Sequence, residues 1–116
     1  MNNKIIYLCI PYSWNPEKSF EIANKVTAKL MQEGNIVFSP VSHSHPISLE
    51  MQDYLQTNHD FWMSQDLPML ERCDELLVVI IGEEGPNLIS NSKGCQAEIN
   101  TANTFGMPIN YIEYYE

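Results

Sequence analysis

Basic residues are scarce in this sequence: six Lys and Arg stand against 15 Asp and Glu, for a net charge of −9. A surface of that sign repels phosphate backbones, which argues against nucleic-acid polymers and anionic membranes as partners. Long apolar runs are missing as well, and none approaches the roughly 20 residues of a transmembrane helix. The opening Met1-Asn2-Asn3-Lys4 leads into a short apolar stretch without the h-region and cleavage site of a secretory leader. Cysteine is limited to Cys9, Cys73 and Cys95, an odd number without metal-type spacing, as expected in a reducing interior. Internal repeats, low-complexity tracts and linkers are absent too. The expectation is a cytoplasmic single domain over residues 1–116, with no cofactor and no metal implied.

What is present is a globular composition, 44% hydrophobic and 18% charged over 116 residues. That is enough apolar material for a core without disulfide staples. Ile5 to Ile10 is a continuous apolar run, the pattern of a strand covered on both faces. Asn15-Pro16-Glu17 reads as a helix start: a side-chain cap, proline at the first position and an acid in the first turn. Phe20, Ala23, Val26, Leu30 and Met31 recur at helical spacing, and Gly34 is a natural stop. Ile36-Val37-Phe38 predicts a second strand, followed by a polar, proline-bounded loop from Ser39 to Pro46.

Residues 47 to 60 predict a loop or short helix. A helical segment from about Asp60 to Arg72 follows, with Pro68 expected to kink or restart it. Leu76 to Ile81 is the clearest strand, and residues 83 to 91 read as a loop. Ser92 to Phe105 predicts a helix packing Cys95, Ile99, Ala102 and Phe105 inward, and Pro108 to Ile112 a last strand. The alternation predicts an α/β three-layer sandwich, flavodoxin/Rossmann-like, with about four parallel strands in the order 2-1-3-4.

In an open parallel sheet, ligands bind beyond the carboxyl ends of the strands, where strand order reverses. That rule selects Pro11 to Trp14 after strand one, Ser39 with His43 and His45 after strand two, and Ser92-Lys93-Gly94 after strand three. Glu98 sits about one turn into the helix that starts there. Lys93 and Gly94 backbone donors, the Ser92 hydroxyl and the helix dipole favour an anion at that edge. Glu98 is either a solvated residue on the polar side of its helix or a carboxylate held over a pocket. In the second case it can attack an anomeric carbon, as in retaining glycosidases. Asp66 either caps the helical piece near Pro68 or faces the pocket as an acid or base.

Three segments together resemble the nucleoside 2-deoxyribosyltransferase superfamily: Y-L-C-I-P-Y at strand one, the aspartate in S-Q-D-L-P-M-L-E-R-C-D-E-L-L-V-V, and S-x-G-x-x-x-E at 92 to 98. The likeness runs from about residue 5 to 112, and S-H-S-H-P resembles one small branch of the superfamily. It implies Glu98 as the nucleophile that takes the deoxyribosyl group and Asp66 in proton transfer to or from the base. Tyr12 and Ser13 would fall in the first βα loop, which lines the sugar and base pocket. Where free-nucleoside transferases usually carry aspartate, this chain has Ser92. That version is similar to 2-deoxynucleoside 5-monophosphate N-glycosidases, whose serine helps bind phosphate. The first loop lacks their glycine- and arginine-rich character, and the chain is short for the superfamily, with four strands expected where the superfamily has five. The resemblance therefore implies a small-molecule nucleoside or nucleotide substrate. The substrate-binding set would be Tyr12, Ser13, Ser92, Gly94, His43 and His45. A homo-oligomer is expected, with Tyr111, Tyr114 and Tyr115 as interface material.

Other readings compete. The H-x-H of His43 and His45, with His59 as a third ligand, is a weak zinc pattern. Cys95 at a helix start is a candidate nucleophile, although its default is a small buried hydrophobe. Phe61-Trp62 reads as core or interface rather than a stacking platform. Nucleotide phosphoribohydrolases of the lysine-decarboxylase-like type share G-x-x-x-E, but their preceding double glycine is replaced by Ser90-Asn91-Ser92-Lys93. A non-catalytic nucleotide-binding or sensing module on the same scaffold is the alternative from a different class.

Overall fold

A computed structural model describes residues 3–116. Along the chain run β1 (Ile5–Cys9), α1 (Pro16–Gln32), β2 (Ile36–Phe38), α2 (Pro40–Ser48), α3 (Asp53–Gln56), α4 (His59–Glu71), β3 (Glu75–Ile81), α5 (Gly85–Ser90), α6 (Lys93–Thr104) and β4 (Ile109–Tyr114). The four strands form one parallel sheet in the order β2-β1-β3-β4. This is the expected α/β architecture, with the strand order reversing between β1 and β3.

Alternation along β1 assigns its side chains to two cores. Ile6, Leu8 and Ile10 pack with Ile22, Ala23, Val26 and Leu30 of α1 on one face. Tyr7 and Cys9 point to the other face, where they meet Leu70 of α4, Ile89 of α5, and Cys95 and Ala102 of α6. The continuous apolar run is thus what a strand sandwiched between two helical layers requires.

The helix starts follow from local chemistry. The Asn15 side chain accepts from the Lys18 N–H at 3.2 Å with Pro16 at the first helical position. Asn58 caps α4 by accepting from the Phe61 N–H at 2.9 Å, and Ser92 caps α6 by accepting from the Cys95 N–H at 3.1 Å. Gly34 (φ 97°) stops α1 in the left-handed region that only glycine enters freely.

Four expectations need correction. The segment after β2 is helical: Ser39 caps it and Pro40 opens it, the same Asn/Ser-Pro device that starts α1. Pro46 removes one internal donor only two residues before the helix ends, so the loss is small there. Residues 85–90, expected as loop, form α5, again with proline in the first turn. A side chain at Gly85 would lie 2.4 Å from Ile80 Cγ2, so glycine lets α5 sit against β3. Pro68 does not restart the helix, since α4 is continuous from His59 to Glu71. Met31 and Phe105 are 52% and 59% exposed, outside the stripes to which their spacing assigned them.

Among the described residues no helix is long and apolar enough to cross a membrane.

Candidate active site

A cavity of about 830 Å³ opens at the carboxyl end of β1, between α2, α4 and the start of α6. That volume suits a small ligand of several rings. Tyr12, Ser13 and Trp14 of the β1–α1 loop form one wall, and Ser44, His45 and Ser48 of α2 another. Trp62, Met63 and Asp66 come from α4, and Ser92, Lys93, Gly94, Cys95 and Glu98 from the start of α6.

Glu98 stands at the floor, 5% exposed. Its position follows from two periodicities. Cys95, Glu98 and Ala102 recur every three to four residues and form the buried face of α6. Tyr7 and Cys9, two apart on β1, face that helix across the sheet. The Tyr7 hydroxyl donates a hydrogen bond to Glu98 Oε2. Burial is the main cause that pushes the Glu98 carboxyl up, to about 8. The Tyr7 and Cys9 hydrogen bonds pull it back, while the Asp66 charge adds to the rise. Burial and the Glu98 charge hold the Tyr7 phenol protonated throughout, so it remains a donor.

Asp66 lies in the interior of α4, half-buried, and lines the cavity; it caps no helix. Desolvation raises its carboxyl to about 6. Asp66 therefore ionises first, and Glu98 must ionise against the charge already there. Near neutral pH the pair holds one proton, and it resides mainly on Glu98.

The Tyr7 bond gives a direct test. Tyr7→Phe removes the donor that favours the Glu98 anion, so the Glu98 carboxyl should titrate at higher pH than in the parent. Carboxyl carbon NMR of the two proteins measures this; an unchanged titration would show that the bond does not control the group.

The two histidines part company. Two residues apart on a helix, they lie on nearly opposite faces. His45 is buried and lines the cavity: its Nδ1 is 2.6 Å from the Tyr12 hydroxyl and its Nε2 is 3.1 Å from Glu17 Oε1. With Nε2–H donated to the carboxylate, Nδ1 accepts from Tyr12, whose oxygen then presents lone pairs to the cavity. Phe20 stacks against the ring at 4.5 Å. His43, expected at the site, is exposed, off the cavity, and beside Phe38. His59 lines the cavity apart from that network, so the H-x-H does not converge with it on one ion.

Ser13, Ser92 and Gly94 all line the cavity. Ser92 spends a lone pair on its cap and keeps its O–H to donate. A side chain at Gly94 would meet only Met63 Cε at 3.7 Å and Ser92 Oγ at 3.9 Å, ordinary contacts, so packing does not demand glycine there. Lys93 is the cation at this edge; Lys18 is turned away to Glu21 and Glu116. Cys95 is 1% exposed, a packed residue at the floor. Trp62, expected in core or interface, forms cavity wall, its indole N–H donating to the Gln56 carbonyl at 3.1 Å.

Sequence reasoning missed Tyr7 and Cys9 as members of this site. The alternation of β1 carries the signal, but it becomes readable only when α6 is known to cover that face.

The profile of a family described as Domain of unknown function (DUF1937) matches residues 4–114. No curated protein matches. Among solved structures, a 2-deoxyribosyltransferase from the psychrotolerant bacterium Bacillus psychrosaccharolyticus superposes with a TM-score of 0.62 at 19% identity, over 94% of this chain and 72% of that one. A 2-deoxyribosyltransferase from Leishmania mexicana gives 0.62 at 16% identity, over 95% of this chain and 64% of that one. This chain thus spans under two thirds of the second structure. These likenesses establish a shared fold.

Proposed function

Because the chain belongs to the DUF1937 family, whose profile spans almost all of it, the site must speak for its function, and we propose a glycosyl-transfer enzyme acting on nucleosides or nucleoside 5′-monophosphates. The observation that carries this reading is the buried Glu98 carboxyl, anchored by Tyr7 and facing a cavity that Asp66 also lines. The shared fold with two deoxyribosyltransferases supports it.

In this reading the Glu98 carboxylate attacks C1′ of the (deoxy)ribosyl group. The N-glycosidic bond breaks and its electron pair leaves with the base, which takes a proton from Asp66 or water. The glycosyl ester is then resolved by a second base, giving transfer, or by water, giving hydrolysis. Tyr12, Ser13 and His45 line the sugar and base region. Ser92, Lys93 and the first N–H groups of α6 offer donors and one positive charge for a 5′-phosphate. His43 is not part of this set. We further propose a homo-oligomer, with the exposed Tyr111 and Tyr115 near the β4 edge in its interface; Tyr114, expected there too, is instead partly buried against the α1 core.

A panel of nucleosides and nucleoside 5′-monophosphates, with and without an acceptor base and scored for free base and exchanged product, tests the reading. Release or exchange of base from at least one member is expected. Tight binding with no bond cleavage over long incubation would instead identify a binding module.

Gly94→Ala refines the test. The backbone there tolerates a methyl, and alanine is the better helix former, so folding stability should hold or rise by up to about 1 kcal/mol. The methyl intrudes on the ligand side, so KM should rise several-fold. Thermal melting and steady-state kinetics on one preparation check both halves.

A further inference from the structure

Beside the proposed nucleophile lies a second chemistry that glycosyl transfer does not use. Cys9 Sγ, Cys95 Sγ and a Glu98 carboxylate oxygen all lie within 4.8 Å of one another, and all three residues are buried. Among the described residues this is the one convergence of three potential metal ligands. We propose that these side chains form a binding site for a thiophilic divalent cation, Zn²⁺ by chemistry, and that its occupation withdraws Glu98 from the reaction. The inhibitory consequence rests on the reading of Glu98 as nucleophile; the metal site itself does not.

The geometry is close to what such an ion needs. Tetrahedral zinc with Zn–S bonds near 2.3 Å places its sulfurs about 3.8 Å apart, so the three donors need only small rotamer adjustments. Two sulfurs and one oxygen select against Mg²⁺ and Ca²⁺, which prefer oxygen cages. Cys95 and Glu98 line the cavity, so the fourth position opens to it, where a water or a ligand atom completes the shell. The Tyr7 hydroxyl already bonded to Glu98 Oε2 is a ready outer partner that orients the carboxylate. Binding displaces both thiol protons, and the Glu98 proton where present, into solvent. The third cysteine takes no part: Cys73 donates to the Met69 carbonyl at 3.3 Å, away from this cluster.

The test is titration of the reduced, metal-free protein with Co²⁺ and then Zn²⁺. One equivalent of Co²⁺ should bind with a thiolate-to-cobalt charge-transfer band, and Zn²⁺ should displace it. Cys9→Ser and Cys95→Ser should each weaken Zn²⁺ binding more than about 100-fold, and Cys73→Ser should leave it unchanged. Glu98→Gln keeps both thiols, so it should retain the charge-transfer band with reduced affinity; this variant decides the matter if a cysteine variant does not fold. Absence of a thiolate band, or a band and stoichiometry unaffected by both cysteine variants, overturns the site. With an active substrate in hand, one equivalent of Zn²⁺ should stop base release and a chelator should restore it. Cobalt binding without base release would sink the glycosyl-transfer reading alone; base release without a thiolate band would sink the metal site alone.

Discussion

Glu98→Gln should abolish base release and at the same time stabilise the protein at alkaline pH. The first half follows from chemistry: an amide cannot form the glycosyl ester, and removing a covalent nucleophile costs at least about 10³-fold in rate. The second half follows from burial. The Glu98 carboxyl titrates at 4.5 when free and at about 8 in the folded chain, mainly because ionisation there is poorly solvated. A folded-state value above the unfolded one gives stability that is fully present below about pH 4.5 and lost as pH climbs through 8. Glutamine imitates the protonated acid and cannot ionise, so it avoids that loss. At about 1.4 kcal/mol per pH unit the difference between the two proteins at pH 9 is on the order of 3–5 kcal/mol. Below pH 4.5 the two should be equal. Urea denaturation of parent and variant at pH 4 and pH 9 measures this. An active variant would refute the nucleophile; a variant no more stable than the parent at pH 9 would refute the buried, ionisation-resisting carboxyl. Loss of activity together with a gain in stability is a pattern that simple misfolding cannot produce.

The pH dependence of the reaction should be a bell with limbs near 6 and 8, and Asp66→Asn should remove its alkaline fall. The acting form needs Glu98 ionised and Asp66 protonated. Asp66, raised to about 6 by burial, loses its proton before Glu98, held near 8, does. The acting form is therefore the minor arrangement of the single proton, on the order of one molecule in 100 for a gap of about two units. Its population still tracks the singly protonated pair, which rises through pH 6 and falls through pH 8. Asparagine in place of Asp66 leaves Glu98 alone. Activity should then drop by roughly 10²–10⁴-fold and rise with pH to a plateau. The rise should also shift below that of the parent carboxyl, because the Asp66 charge that opposed ionisation is gone. Rate profiles on any responsive substrate decide this. A parent profile that only rises, with no fall above pH 8, would remove Asp66 as proton donor and leave that task to water.

The structural results show why some residues were legible in advance and others were not. The strands were readable from Ile5–Ile10 and Leu76–Ile81, because a strand covered on both faces has no polar side and reads as an unbroken apolar run. The starts of α1 and α6 were readable from Asn15-Pro16 and Ser92, where the cap acts within three residues. The same logic applied to Ser39-Pro40 would have revealed α2, but Pro46 and the Ser/His composition outweighed it. Pro68 did not restart the helix because α4, packed along α6, runs on through a single lost donor. Asp66 lies on the cavity rather than at a cap for the same reason, since continuity of α4 leaves no cap to fill.

His43 and His45 illustrate how a local motif depends on backbone state. In the loop expected from the sequence, H-x-H can close on one ligand; on a helix the two rings diverge, and only His45 reaches the cavity. Tyr7 and Cys9 show the converse, residues with no motif that enter the site because α6 packs over their face of β1.

Everything that acts between near neighbours was therefore decided by the sequence itself: strand runs, helix caps, the strand order implied by alternating elements, and the edge of the sheet where polar residues collect. What only tertiary structure decided is which side chains share a wall and how each one ionises. Glu98 follows the ordinary carboxylate rule until α6 presses it against Tyr7 and away from water. The free energy of charging a group depends on the atoms that replace its solvent, and those atoms come from elements distant in the chain.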